Sequence, residues 1–436
     1  MYGSGLTSEN VGYRRDRADG LWILTLFVFL IGVYYIVAWE NVKSFVPLGI
    51  ILTFSSLLTI IRCRKIPTLL LLFSVIGYIN ISSAALDYFA MGSFSNNYQQ
   101  ALRLSESGLG YAKMFLLNTL VVSLFLTPRF LERAESGIDE KLRYKRDNSV
   151  LAILFLALTL FVCITQFNGG AGSGGYVSNN NPLYEYAILF FALGILFTGD
   201  SRTFKTLYFI SGGVYILKSM IGGDRSSAFM AVLVFVVYYF YSRIKTSRML
   251  VYSLAGVVVA NIIAEVRNAA MSVNGLFKTL LQRSLLFFFS DTVSASFYSG
   301  VTIIEFTNCY EGSRSELFLK WVGSLFVGVS RETNIVALAS KYNVNGGGGL
   351  YPAYFGFFGG FLGVIAGAVI LGFIIRFVFA GGGGWRRVTQ VIMIAMVFRW
   401  YLYSSVTLFR TILLNFNILY LACILFCSLV RSRPLR

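Results

Sequence analysis

The chain contains no histidine. That removes imidazole acid-base catalysis, histidine-ligated metal sites and Ser-His-Asp triads together. Charge is scarce too: 13% of the 436 residues are charged and 56% are hydrophobic, too apolar a balance for a soluble globular protein. No Walker sequence and no Asp-x-Asp pair of the kind that holds a metal-bound nucleotide sugar occurs. Cytosolic ATP as an energy source and a nucleotide-sugar donor are thereby disfavoured, and neither a metal nor a cofactor is expected. The five cysteines are scattered, with only Cys309 expected on the outer side, so no disulfide is expected; Cys423 and Cys427 share a helix face and read as apolar filler. The first apolar run follows Arg14, Arg15 and Arg17, is long enough to span, and has no small-residue cleavage site behind it, so it reads as a retained span.

What is present is a series of apolar runs about 17 to 25 residues long, without the ten-residue alternation of an outer-membrane barrel. The sequence predicts an all-α polytopic membrane protein, one integral domain over residues 1–436. Its spans, about 12 of them, lie near 21–39, 45–61, 66–86, 111–127, 149–167, 182–198, 206–221, 226–242, 249–266, 353–378, 388–407 and 410–429. The net charge of +17 invites a nucleic-acid reading, but its distribution argues otherwise. With the N-terminus inside, 22 of the 37 basic residues fall in cytoplasmic segments, against 9 acidic ones. The excess is therefore an orientation signal, with both termini cytoplasmic, and no nucleic-acid partner is expected.

Between spans nine and ten a long outer loop is expected at 267–352. It carries apolar blocks, Leu285 to Phe289 and Leu317-Phe318-Leu319, beside Arg267, Arg283, Arg314 and Arg331. Blocks this short do not cross about 30 Å of hydrocarbon, so they predict short interfacial or re-entrant helices. The loop ends in a glycine run, Gly346 to Gly349, then Tyr351, Pro352 and Tyr354, then a span dotted with Gly356, Gly359, Gly360, Gly363 and Gly367. Small residues at such spacings permit close helix packing. The glycines from Gly169 to Gly175 precede no Lys-Ser/Thr and read as a loop.

Three further places concentrate charge where charge is costly. Spans seven and eight are joined only by Gly222 to Ser227, which places Asp224 and Arg225 near the outer boundary, with Lys218 below them. The Ser226-Ser227 helix start offers free N–H groups to an anion; an Asp224 pair with Arg225 or Lys218 that merely caps the hairpin is the alternative. Span nine ends in Glu265 and Arg267, and Arg331-Glu332 lies farther along the loop; local ion pairs are the competing reading of both. Arg399, about 16 Å into span eleven, is too deep to snorkel and should face a wet or anionic cavity, extended by Arg410. Guanidinium forks suit phosphate, and Tyr351 and Tyr354 suit either sugar stacking or an interfacial aromatic belt.

Two stretches carry a family resemblance: Gly222-Gly223-Asp224-Arg225-Ser226-Ser227 before an apolar helix, and Gly348 to Gly356 before a glycine-rich span. With many spans and one late outer loop, the chain resembles the bacterial O-antigen or repeat-unit polymerases of the Wzy type, which are architecturally related to the O-antigen ligases. The ligases are known for a loop histidine, and its absence argues against ligase activity. The resemblance implies a GT-C-like fold in the bacterial inner membrane and a glycosyltransferase acting on undecaprenyl-diphosphate-linked glycans, with membrane lipid and a chain-length regulator protein as partners. It further implies Arg225, Arg267, Arg331, Arg399 and Arg410 on the diphosphate, Asp224, Glu265 or Glu332 as the base, and Tyr351 and Tyr354 on sugar. A lipid-linked oligosaccharide flippase is the rival from another class, against which stand the long outer loop and the lack of an internal repeat.

Overall fold

In the computed structural model, the described residues are 8–38, 45–88, 105–136, 148–165, 182–221, 225–240, 291–328, 333–342, 348–381 and 384–431, with residues 248, 251, 255 and 258. All their regular elements are helices, as the backbone must be in a hydrocarbon phase, where only hydrogen bonds made within the segment can satisfy it. Among the described residues six helices are long and apolar enough to cross a membrane: Asp19–Ala38, Val46–Cys63, Pro67–Ala84, Glu106–Leu124, Tyr351–Phe379 and Thr407–Leu429. Ser149–Thr165, Tyr186–Phe197 and Ser226–Tyr238 are shorter apolar helices. The span expected near 249–266 lies almost wholly outside the described residues. The chain divides into two compact units, Met1–Ile138 with Asp291–Gly381, and Asp139–Ser290 with Gly382–Arg436.

Both units expose apolar side chains around an interior that is itself apolar but also holds buried hydroxyls. The first helix, α1 (Ser8–Ala38), presents Ile23, Phe27, Leu30, Tyr34 and Val37 outward, and α2 (Val46–Cys63) presents Ile50, Phe54, Leu57 and Ile61. The opposite face of α2 buries Ser55, Ser56, Thr59 and Arg62. Apolar stripes outside and hydroxyls inside are what a lipid solvent selects.

Unit 1 continues through α3 (Pro67–Tyr88), α4 (Glu106–Leu124) and the short α5 (Pro128–Ser136). Ser105 caps α4, accepting from the Gly108 N–H at 3.0 Å. At mid-helix, Asn80 of α3 donates to Ser56 Oγ of α2 and Thr119 Oγ1 of α4, at 3.2 and 3.3 Å, tying three spans together. Arg62, which reads in sequence as one of a row of loop cations, is buried instead. Its guanidinium donates to Thr25 Oγ1 at 3.0 Å and to the carbonyls of Ser123 and Leu126, and it lies 4.7 Å from the Trp22 ring centre. It thereby caps carbonyls at and just beyond the end of α4, with the charge sign that a helix C-terminus favours.

The second part of unit 1 departs from the expected outer loop. Within 267–352 stands α10 (Asp291–Cys309), 19 residues and about 28 Å long. From Val293 to Phe306 it is almost entirely buried, against α3, α4 and the helix after residue 350. Tyr111 of α4 lies over Gly300, where an added Cβ would meet its ring at 2.4 Å, and 5.1 Å from the Phe297 ring centre. Ser294, Ser296, Ser299 and Thr302 are buried on it. These hydroxyls and Gly300 permit close approach and dilute the apolar content of the helix, which is why hydropathy overlooks it. The short helices expected in the loop follow as α11 (Arg314–Val327) and α12 (Ile335–Ala339).

The next element, α13 (Tyr351–Phe379), is not one rod. Gly359 has φ −140° and Gly360 has φ +55° with ψ −139°, so the helix is interrupted there. The Tyr351 hydroxyl donates to the Gly367 carbonyl at 2.9 Å; along a continuous helix those residues would stand about 24 Å apart. The arm 351–358 therefore folds back on 361–379. Gly363 faces the Phe355 carbonyl and Gly367 the Phe355 ring, each too closely for a Cβ. Where the sequence predicts a span over 353–378 with glycines for packing between helices, the glycines make a re-entrant hairpin within one element.

Unit 2 contains α6 (Ser149–Thr165), α7 (Pro182–Phe197), α8 (Arg202–Ile221) and α9 (Arg225–Phe235), the last continuing into a π-helical turn, π1 (Val236–Phe240). Tyr208 fills the space left by Gly194 and donates to the Ala152 carbonyl at 2.6 Å, locking α8 to α6. Then α14 (Gly384–Ala395) leads to two further π segments, π2 (Phe398–Tyr403) and π3 (Thr407–Phe416), and finally α15 (Asn417–Arg431). Asn417 manages the return to α geometry: its amide donates to the Ile412 and Leu413 carbonyls at 3.1 and 3.0 Å, while Thr389 donates to its oxygen at 2.7 Å.

Candidate functional site

The arginine singled out by its depth, Arg399, is held in a definite place in unit 2. Its Nη2 donates to Ser227 Oγ at 3.0 Å, and Ser227 is fully buried in the first turn of α9. The guanidinium carbon also lies 5.5 Å from the Tyr403 ring centre, one turn along π2. The two helices meet below it through Phe229 and Phe398, stacked at 5.3 Å.

The backbone around Arg399 is built to stop. Its chain runs from α14 into π2, whose looser winding is characteristic of functional interruptions. The segment closes at Ser404, extended at φ −157° and ψ 118°, whose N–H donates to the Arg399 carbonyl at 2.9 Å. Trp400 anchors it from behind, its indole N–H donating to the Met393 carbonyl at 2.9 Å. Beyond Ser405, fully buried, π3 begins and carries half-buried Arg410. Thus one interrupted stretch of chain carries Arg399 and Arg410 on either side of a break.

Arg225 is the first residue of α9, two positions before Ser227. The first described turn of α9 thus brings the positive end of a helix dipole together with the tethered guanidinium of Arg399. A cation beside a helix N-terminus is the unfavourable sign of that interaction, so the arrangement suits an anion lodged among them. Lys218, expected near the same hairpin, donates to the Cys163 carbonyl on α6 at 2.9 Å, a tether between helices.

The chain matches no family model, no curated protein and no solved structure. The site therefore has to be judged on its own residues. Of those expected, Arg399, Arg410 and the backbone of Arg225 fall together in unit 2. Asp224, Glu265, Arg267, Arg331 and Glu332, and the side chain of Arg225, lie outside the described residues. Tyr351 and Tyr354 belong to unit 1 and are buried, at 0% and 4% exposure. The Tyr351 hydroxyl is committed to Gly367, and its ring packs 5.0 Å from Phe355, so it serves the hairpin and offers no open face for stacking on a sugar. Ser227 is the residue that sequence reasoning placed only at a helix start; its role as a partner for Arg399, 172 residues away, leaves no local signal.

Proposed function

We propose that the chain is an integral-membrane glycosyltransferase that polymerises oligosaccharide repeat units carried on undecaprenyl diphosphate, at the outer face of the bacterial inner membrane. The supporting observation is the Arg399 guanidinium tethered to Ser227 at the start of α9, beside Arg225. An anion-seeking cluster inside a helical membrane unit, on a protein without histidine, suits a leaving group that is already a good one.

In this reading the acceptor sugar hydroxyl attacks the anomeric carbon of the donor glycan. The carbon–oxygen bond to the diphosphate breaks, and the bonding pair leaves with the phosphate oxygen. Arg399, Arg225 and Arg410 offset the charge that develops there, in a setting where water does not compete. Arg267 is a further phosphate ligand. The hydroxyl proton passes to a carboxylate, for which Asp224, nearest in sequence to Arg225, is the first candidate and Glu265 and Glu332 the next. No metal is required by these steps.

Arg399→Ala and Arg399→Lys, expressed in the native host in place of the wild-type chain, test the reading. Surface lipid bearing single repeat units and no ladder is the expected result for Ala. Lys keeps the charge but not the fork and should shorten the ladder without abolishing it. Normal chain length in both would overturn the assignment. A second reading, transport of the same lipid-linked glycan, is favoured by the interrupted helices at Ser404 and at Gly359-Gly360, since broken helices line many transporter sites. Loss of even the single repeat unit from the surface would select it.

A further inference from the structure

Helix α11 (Arg314–Val327) has three faces where an ordinary surface helix has two. At about 3.6 residues per turn, Leu317, Trp321 and Ser324 line one side and are buried. Phe318 and Trp321 meet the Phe358 ring at 5.1 and 5.8 Å, and Trp321 meets Phe355 at 6.1 Å. This side is the contact with the re-entrant arm. A second side carries Glu316, Lys320 and Gly323, with Glu316 and Lys320 paired at 2.7 Å. Hydrogen bonding to Lys320, then its charge, holds the Glu316 carboxyl below its usual range, so this edge remains ionic at neutral pH. The third side presents Leu319 and Phe326, 69% and 71% exposed, while Val327 at the helix end, 90% exposed, falls beside Glu316 on the second.

Water would be a poor neighbour for that third side, and its surroundings say what replaces it. The Phe318–Phe358 contact is adjacent to the start of the long arm of α13, where Phe361 and Leu362 are exposed and begin the outward stripe continued by Ile365, Phe373 and Phe377. The apolar edge of α11 is therefore continuous with the outward stripe of a candidate span, while the Glu316–Lys320 pair stands on the far side of Leu319 from Phe318. This is the cross-section of a helix lying at the boundary of a bilayer, with one edge on protein, one in acyl chains and one in water.

We infer that α11 is an interfacial membrane helix, docked on the re-entrant arm through Trp321 and immersed in the bilayer surface through Leu319 and Phe326. Its partner is the acyl region of the lipid, and the pairing of Lys320 with Glu316 argues for no particular headgroup. The inference requires only a bilayer around the spans and is independent of the transfer chemistry.

The test is nitroxide labelling of single cysteines at 316, 319, 323 and 326. The background is the full chain with Cys309, the exposed cysteine among the described residues, replaced by serine. The protein is reconstituted in vesicles of phosphatidylethanolamine and phosphatidylglycerol, and relaxation is compared with oxygen and with a water-soluble nickel chelate. Labels at 319 and 326 should respond several-fold more to oxygen than to nickel, and labels at 316 and 323 the reverse. Nickel access at all four positions would overturn the inference, placing the helix in water. Immobile labels shielded from both agents at 319 and 326 would overturn it too, by showing a protein partner on that face. Normal glycan chain length in the labelled variants keeps this outcome separate from that of the Arg399 experiment.

Discussion

At the scale of single residues, two arginines illustrate what position in a sequence can and cannot convey. Arg399 was legible because distance into an apolar run is itself a measurement: a guanidinium that far from either end has to be solvated by protein, and Ser227 and the Tyr403 ring do part of that. Arg62 gave no such signal, because it stands next to Arg64 and Lys65 at the end of a span, where loop cations are ordinary. Only the packing of α1 and α4 around it makes it a buried cap. Its removal should matter to stability more than to function. Arg62→Ala strips the donor from Thr25 and from the carbonyls of Ser123 and Leu126 and uncovers Trp22, a loss of about 2 to 4 kcal/mol by analogy with other buried charged hydrogen bonds. Arg62→Lys, with one compact ammonium in place of a fork, should recover less than half of it. Unfolding midpoints in detergent measure both. A loop cation in water would instead tolerate either change within about 0.5 kcal/mol.

At the scale of elements, composition was easy to read and connectivity was not. Hydropathy located α1 to α4 because each carries a long apolar run, with an open face in α1 and α2 and buried in α3 and α4, and it passed over α10 because serine, threonine and glycine dilute its apolar content. The glycines of α13 were visible, but the same residues can serve close packing between helices or a reversal within one, and only the Tyr351–Gly367 bond separates the two. Three alanine substitutions turn this into a prediction. Gly359 has an ordinary φ and nothing within 4 Å of an added Cβ, so Gly359→Ala should be near neutral. Gly360 has equal space but φ +55°, and Gly360→Ala should cost about 1 to 2 kcal/mol in backbone strain. Gly363→Ala would put its methyl 2.1 Å from the Phe355 carbonyl oxygen, so that the two arms must part, at about 3 kcal/mol or more. An unbroken span of 29 residues would give the opposite order of events, with each alanine neutral or stabilising by up to about 1 kcal/mol. Thermal unfolding of the three variants in one detergent decides between these patterns.

At the scale of the whole chain, the orientation of the termini and the direction of α10 constrain each other. Within unit 1 the long arm of α13 runs with α4, since Met114 meets Gly356 near the reversal and Phe125 meets Gly372 and Phe373 farther down. The short arm runs with α10, Gly349 beside Ile303 and Phe357 beside Phe306 and Tyr310. The two arms are antiparallel, so α10 is antiparallel to α4. If the positive-inside distribution sets the N-terminus in the cytoplasm, α4 descends from the outer face and α10 rises toward it, carrying Cys309 outward and placing Asp291 deep among the spans. For residues 267–352 to remain an outer connection, α10 must then be a re-entrant element like the short arm of α13. Alkaline phosphatase, active only outside the cytoplasmic membrane, fused after residues 140, 275 and 345, should be silent at the first position and active at the other two. Activity at 345 with silence at 275 would mean that α10 crosses the membrane completely. It would change the parity of the span count and move Arg267 to the cytoplasmic side, where it could not share an outward-opening phosphate site with Arg399.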